Sequence, residues 1–129
     1  MVTKSQQGTI ALQNAFMKRY NVGTFGIYCY RKVRGENRMS VHSEGRAWDC
    51  KIRADKDLEK GDMIFSILKE KHKELGIEKV IWNRRAWTPE AGDYEYKGLN
   101  PHTDHLHIEQ SVERATTNPL TEAEILKII

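Results

Sequence analysis

The chain has few of the features that mark disulfide-bonded or membrane-spanning proteins. Only two cysteines, Cys29 and Cys50, occur in 129 residues, and neither belongs to a CxxC pair, which excludes a disulfide framework and favours buried free thiols. No run of about 18 apolar residues exists, so we expect no membrane insertion. The first residues also lack the basic-then-apolar pattern of a signal peptide, so we expect none.

Charge of one sign is not strongly in excess either. The formal net charge is +3 and the sequence pI is about 8.9. Basic side chains are dispersed over residues 31–53 rather than clustered, which is typical of a solvated surface. Attraction to a polyanion, such as nucleic acid or the bacterial wall, is the alternative that this charge allows. Charge alone does not decide between them, and we expect no nucleic-acid partner.

The hydrophobic pattern predicts one domain, residues 1–129, with a single core. Apolar residues at helical spacing predict helices, and β-branched or aromatic runs predict strands. The predicted elements are helices at 9–19 and 62–75, a short helix after residue 120, strands at 25–31, 46–52, 77–82 and 105–110, and a long loop at 84–100. We also predict a left-handed cap at Gly76, after the second helix, and a capping box of Thr121 and Glu124 at the start of the last. Because this order has no βαβ rhythm, we predict the α+β class, with a small, mainly antiparallel sheet and flanking helices.

The strand at 46–52 divides its side chains between two faces. Trp48, Cys50 and Ile52 share one face by the period of two, and Asp49 and Lys51 share the other. We therefore expect Asp49 to project from the face opposite the core, where a ligand-binding carboxylate is accessible.

Histidines and acids recur in three short clusters, around Ser40-Val-His42, at Asp49, and in Asp104-His105-Leu-His107. They supply imidazoles and carboxylates, which are ligands of catalytic zinc, together with a spare acid for a general base. A pair of histidines two residues apart is a weak signal taken alone. From the spacing, both histidines of the last cluster remain candidate ligands.

The order of these residues resembles a known group of zinc peptidases. The pattern Ser40-x-His42-x-x-Gly45-x-Ala47-x-Asp49, followed by an Asp-x-x-His segment at 104–107, resembles D-alanyl-D-alanine carboxypeptidases, L-alanyl-D-glutamate endolysins and the hedgehog domain. The resemblance covers about residues 24–112. The stretches 82–87 and 100–105 also resemble phage and actinobacterial members of the group. The resemblance implies a hedgehog- or DD-peptidase-like fold.

The resemblance also implies a role for each residue of the motif. His42, Asp49 and His107 would be the zinc ligands, and Asp104 would be the general base. His105 would lie beside the metal and stabilise the oxyanion without ligating zinc. This assignment removes His105 from the ligand candidates.

Further residues are assigned around the same site. The group uses an upstream arginine to polarise the substrate carbonyl, and we expect Arg31 in this role, with Arg34 and Arg38 as alternatives. Ser40 would hold the loop or the ring of the first ligand by a hydrogen bond. Tyr94 and Tyr96, in the long loop, are candidates for a substrate wall.

The resemblance predicts a zinc-dependent peptidase that cleaves a peptide bond in the stem peptide or cross-link of peptidoglycan. We expect a monomeric, phage-type lytic enzyme, held in the host cytoplasm before its release to the wall or carried in a virion. An inactive zinc-containing binding or structural module of the same fold is the first alternative. A metal-dependent nuclease, suggested by the small excess of basic over acidic residues, is the second.

Overall fold

The computed structural model describes residues 5–27 and 44–129. Arg31, Ser40, His42 and Cys29 lie outside these ranges. None of the described helices is long and apolar enough to cross a bilayer. The elements are α1 (Gln7–Tyr20), β1 (Gly23–Gly26), β2 (Ala47–Lys51), α2 (Leu58–Glu70), α3 (His72–Leu75), β3 (Ile77–Trp82), β4 (Arg85–Thr88), β5 (Gly92–Glu95), β6 (Leu106–Gln110), a π-helical turn (Glu113–Thr117) and α4 (Glu122–Ile128).

The described strands form one six-stranded sheet in the order β1-β2-β6-β3-β4-β5. Every neighbouring pair is antiparallel. The last strand of the chain, β6, inserts between β2 and β3 at the middle of the sheet. This confirms the predicted α+β class with an antiparallel sheet and flanking helices.

One face of the sheet is packed against the helices. Trp48 and Cys50 of β2 are fully buried there, together with side chains of α1, α2, β3 and β6 in a single cluster. Burying each large apolar side chain contributes roughly 1.5–3 kcal/mol. Lys51 is exposed and Asp49 is half-buried, so the predicted division of β2 between two faces is confirmed. Cys50 is a free, buried thiol as expected, and burial raises its pKa to about 12.

The predicted helix at 62–75 begins earlier and is interrupted. It starts at Leu58, ends at Glu70 and resumes as α3 after Lys71, whose φ of −100° and ψ of 18° depart from helical values. The left-handed cap predicted at Gly76 is present, with a φ of 70°. Position 61, inside α2, requires glycine because a Cβ there would collide with the ring of Trp82.

The prediction of a long loop at 84–100 is wrong. The strands β4 and β5 occupy much of it and pair with each other, and β4 also pairs with β3. The β3–β4 turn consists of Asn83 and Arg84, both left-handed, with φ of 51° and 67°, as a tight hairpin turn requires. These strands have only four residues each, too few for a clear alternation, so pairing with the sheet decides their conformation.

Both ends of the described chain pack together. The Arg19 guanidinium donates to the Leu126 carbonyl at 2.8 Å, and the Tyr20 hydroxyl donates to the Ile129 carbonyl at 3.1 Å. The capping box predicted for α4 is present, with Thr121 and Glu124 bonded reciprocally. These contacts hold α4 against α1, on the same side of the sheet as the core.

Candidate functional site

The register of β2 and β6 brings together two residues that are 58 positions apart. Asp49 lies directly opposite His107, and Asp49 Oδ1 is 3.0 Å from His107 Nδ1. Both side chains project from the face opposite Trp48, because alternate residues of a strand point to opposite faces. The sheet therefore assembles two of the three expected zinc ligands.

The other ring nitrogen of His107 is also engaged. Its Nε2 lies 2.9 Å from Glu109 Oε2, so the imidazole is held between two carboxylates. The sequence interpretation did not include Glu109. The signal was present, since Glu109 is two residues after His107 on a predicted strand and must share its face.

The two carboxylates raise the pKa of His107. Burial by itself lowers the pKa of His107, but the hydrogen bonds and charges of Asp49 and Glu109 outweigh burial and raise it to about 9. Burial likewise favours neutral Glu109, yet its bond to His107 and the charges of His107, Lys79 and Arg46 lower its pKa overall. Without a metal, the raised pKa of His107 favours a protonated imidazole, which can donate to the carboxylates of both Asp49 and Glu109.

Asp104 and His105 form a second pair beside the first. The His105 Nδ1–H donates to Asp104 Oδ1 at 2.8 Å, and His105 Nε2 is 3.7 Å from Asp49 Oδ1. Asp104 has a side-chain exposure of 55%, whereas His105 has 12%. The hydrogen bond from His105 is the main cause that lowers the pKa of Asp104. An ionised, accessible carboxylate therefore stands next to the Asp49–His107 pair.

His102 completes a group of three adjacent imidazoles, although no predicted helix or strand includes it. Its ring is buried, with centroids 4.5 Å from His105 and 5.7 Å from His107. Burial first, and then the charges of the two other histidines, lower its pKa to about 4. The neutral ring donates its Nδ1–H to the Asn100 carbonyl at 2.7 Å. No periodicity in the sequence could have placed it here.

The backbone around His102 is fixed by the β3–β4 turn. The amide of Asn83 donates to the His102 carbonyl at 2.8 Å, and that of Arg84 donates to the Pro101 carbonyl at 2.9 Å. His102 itself has a φ of 56°, which is costly for a residue with a side chain. The hairpin that was predicted as loop therefore positions one wall of the site.

Aromatic rings extend the site on both sides. Tyr96 packs edge-on against His102 at 5.1 Å, whereas Tyr94 lies on the edge strand β5, with β6, β3 and β4 between it and β2. On the other side, Phe25 is the extra residue of a β-bulge, 58% exposed and 6.3 Å from the ring of His105. A bulge re-aims a side chain in this way. Sequence reasoning did not find Phe25.

The described residues fit part of a zinc site. With bond lengths of 2.0–2.1 Å, two ligands of tetrahedral zinc lie about 3.3 Å apart, close to the 3.0 Å between Asp49 Oδ1 and His107 Nδ1. Within residues 5–27 and 44–129, no group of three or more His, Cys, Asp or Glu side chains has the arrangement to hold a metal ion. The expected third ligand, His42, is outside those ranges, as are Ser40 and Arg31.

The comparisons with known proteins place the chain in a family without naming an activity. No curated protein and no solved structure matches it. One family does, over residues 2–107, a span that includes Asp49, Asp104, His105 and His107. The chain belongs to the family described as the VldE C-terminal domain.

Proposed function

We propose that the protein is a zinc-dependent peptidase that hydrolyses a peptide bond of bacterial peptidoglycan. The observation that carries the proposal is the pairing of Asp49 with His107 across two central strands, with the ionised Asp104 and its partner His105 beside them. His42 would be the third ligand. The motif resemblance supplies the substrate class, because the family description names none.

The chemistry divides between the metal and the side chains. Zinc, when bound, polarises a carbonyl and lowers the pKa of a water molecule. Asp104 accepts a proton from the attacking water, whose oxygen forms the new bond to the carbonyl carbon. As the carbon–nitrogen bond breaks, Asp104 returns that proton to the leaving amine. His105 stabilises the negative charge that develops on the carbonyl oxygen, and Arg31 assists in polarising it.

The exposure of the two pairs suits this division. Asp49 and His107 are largely shielded, with side-chain exposures of 14% and 9%, as expected of groups that hold a cation. Asp104 is more open than either, so a water or substrate can reach its carboxylate. Phe25 and Tyr96, on either side of the histidines, offer apolar walls for a peptide, and we propose that Tyr94 lies too far along the sheet to do so.

The substrate class also bears on where the protein acts. A lytic enzyme of this kind would be stored in the host cytoplasm before release to the wall, or carried in a virion. We propose that it acts as a monomer on the stem peptide or cross-link, without a nucleic-acid partner.

The test is the digestion of purified cell walls, followed by turbidity and by mass spectrometry of the soluble muropeptides. We expect the wild-type protein to clear the walls and release new amino termini, EDTA to stop clearing and added zinc to restore it. Asp104→Asn should reduce the rate about 10²- to 10⁴-fold, the range for loss of a general base. Glu90→Gln, which neutralises another exposed acid, on the turn between β4 and β5, should leave the rate unchanged.

Two results would contradict the proposal. If zinc binds stoichiometrically but walls and muropeptides stay intact, the protein is a zinc-containing binding module. If Asp104→Asn cleaves at the wild-type rate, the general base is a different residue.

A further inference from the structure

Glu109 lies inside the sheet rather than at its edge, next to the ligand pair. Its strand β6 is flanked by β2 and β3, and the register places Glu109 opposite Ala47 on one side and Lys79 on the other. Its side chain is 19% exposed. A carboxylate in such a position needs a partner, and the partner is His107.

At His107, each ring nitrogen lies within hydrogen-bond distance of a carboxylate. Nδ1 faces Asp49 and Nε2 faces Glu109, at 3.0 and 2.9 Å. A neutral imidazole carries a single N–H, so when Nδ1 uses its lone pair to bind a cation, the hydrogen must be on Nε2. In that tautomer Nε2–H donates to Glu109. The carboxylate therefore selects the form of the ring whose Nδ1 can bind metal.

We propose that Glu109 is a positioning residue, which fixes the ring orientation and the tautomer of His107 so that Nδ1 is presented to zinc beside Asp49. Metal-binding histidines commonly donate their second N–H to a carboxylate, and the loss of that partner weakens metal binding about 10- to 100-fold. Since the role of Glu109 rests on the proposed zinc site, zinc binding by the wild-type protein is measured first.

Two cationic side chains lie near Glu109. Lys79 is its cross-strand neighbour, and Arg46 donates to the Gln110 carbonyl at 2.9 Å and to Glu78 at 2.8 Å. Both cations add positive charge near the carboxylate, while its own hydrogen bond is to His107 Nε2, at 2.9 Å. Glu109 is therefore placed as an acceptor for the imidazole.

The experiment measures zinc dissociation constants by competition with a chromophoric chelator, and the tautomer of His107 by long-range ¹H–¹⁵N NMR of the zinc-loaded protein. We expect Glu109→Ala to weaken zinc binding about 10- to 100-fold. Glu109→Gln keeps an acceptor oxygen at the same place and should restore most of the affinity. The wild-type spectrum should show hydrogen on Nε2 of His107. Glu78→Ala removes a carboxylate beside Arg46 that does not bond His107, and should change the affinity less than about twofold.

The outcomes separate the two proposals. If the wild-type protein binds no zinc, the proposed function fails. If it binds zinc and Glu109→Ala, folded by circular dichroism, binds equally well, the positioning role alone is overturned. Hydrogen on Nδ1 in the zinc-loaded wild type would overturn it too. Activity is not required for any of these readouts, so they stay valid if the substrate proves to be a different one.

Discussion

The two faces of the central sheet are built from alternate residues of the same strands, yet β2 and β6 present buried apolar side chains on one face and ionisable side chains on the other. On the helix-covered face, Trp48, Leu106 and Ile108 are at most 1% exposed. Gln110, a buried polar residue of β6 on that side, bonds Thr9 and the Leu75 carbonyl. On the other face, Asp49, His107 and Glu109 form a chain of ionisable groups.

The comparison shows where stability and chemistry are separated in this fold. The helix-covered face stabilises the protein through apolar burial, which does not depend on pH or metal. The other face concentrates charges whose balance changes with protons and cations. Substitutions on the two faces should therefore differ in size and in their dependence on conditions.

The largest effect is expected from a cavity under the helix-covered face. Leu68 of α2 is fully buried, so Leu68→Ala should lower the free energy of unfolding by about 2–5 kcal/mol. Leu58→Ala, at an exposed position of the same helix, should cost less than about 1 kcal/mol. Urea unfolding measures both. Equal losses would mean that burial of a side chain of α2 does not determine how much it contributes to the free energy of unfolding.

The next effect tests the charged face through pH. In metal-free protein, the pKa of His107 is raised from 6.5 to about 9, so its protonated form stabilises the folded state. That contribution is complete below about pH 6.5 and is lost as pH rises through 9, by up to about 3 kcal/mol. EDTA-treated protein should lose stability between about pH 6.5 and 9 in urea unfolding.

The control for this pH dependence is a variant without the imidazole. His107→Gln should show a nearly flat free energy of unfolding over the same range. If the wild type is equally flat, His107 is not held in its protonated form between Asp49 and Glu109.

The smallest effect concerns the turn that positions His102. Arg84 has a left-handed backbone, which glycine adopts without strain. Arg84→Gly should raise the free energy of unfolding by about 0.5 kcal/mol. Arg85→Gly, one residue later in β4, should instead lower it by about 0.5–1 kcal/mol. A loss of stability in Arg84→Gly would mean that its side chain stabilises the turn.

Prediction from sequence succeeded where one strand or helix contained the whole signal. The alternation of β2 placed Asp49 away from the core, and the residues around Thr121 predicted the cap of α4. The same approach failed for β4 and β5, which are too short to show a period. It also missed Phe25 and His102, whose positions depend on a bulge and on a turn held by a neighbouring hairpin.

The sequence by itself determined the α+β class, the main elements and the side of β2 from which Asp49 projects, because periodicity and capping are local properties of the chain. Tertiary structure alone decided that Asp49 faces His107, since antiparallel register joins residues far apart in sequence. It also decided that a buried His102 adjoins that imidazole, whereas the alternation of β6 alone places Glu109 on the same face as His107. The contacts of Asp49 and His102 with His107 depend on strand order and burial, which no local pattern encodes.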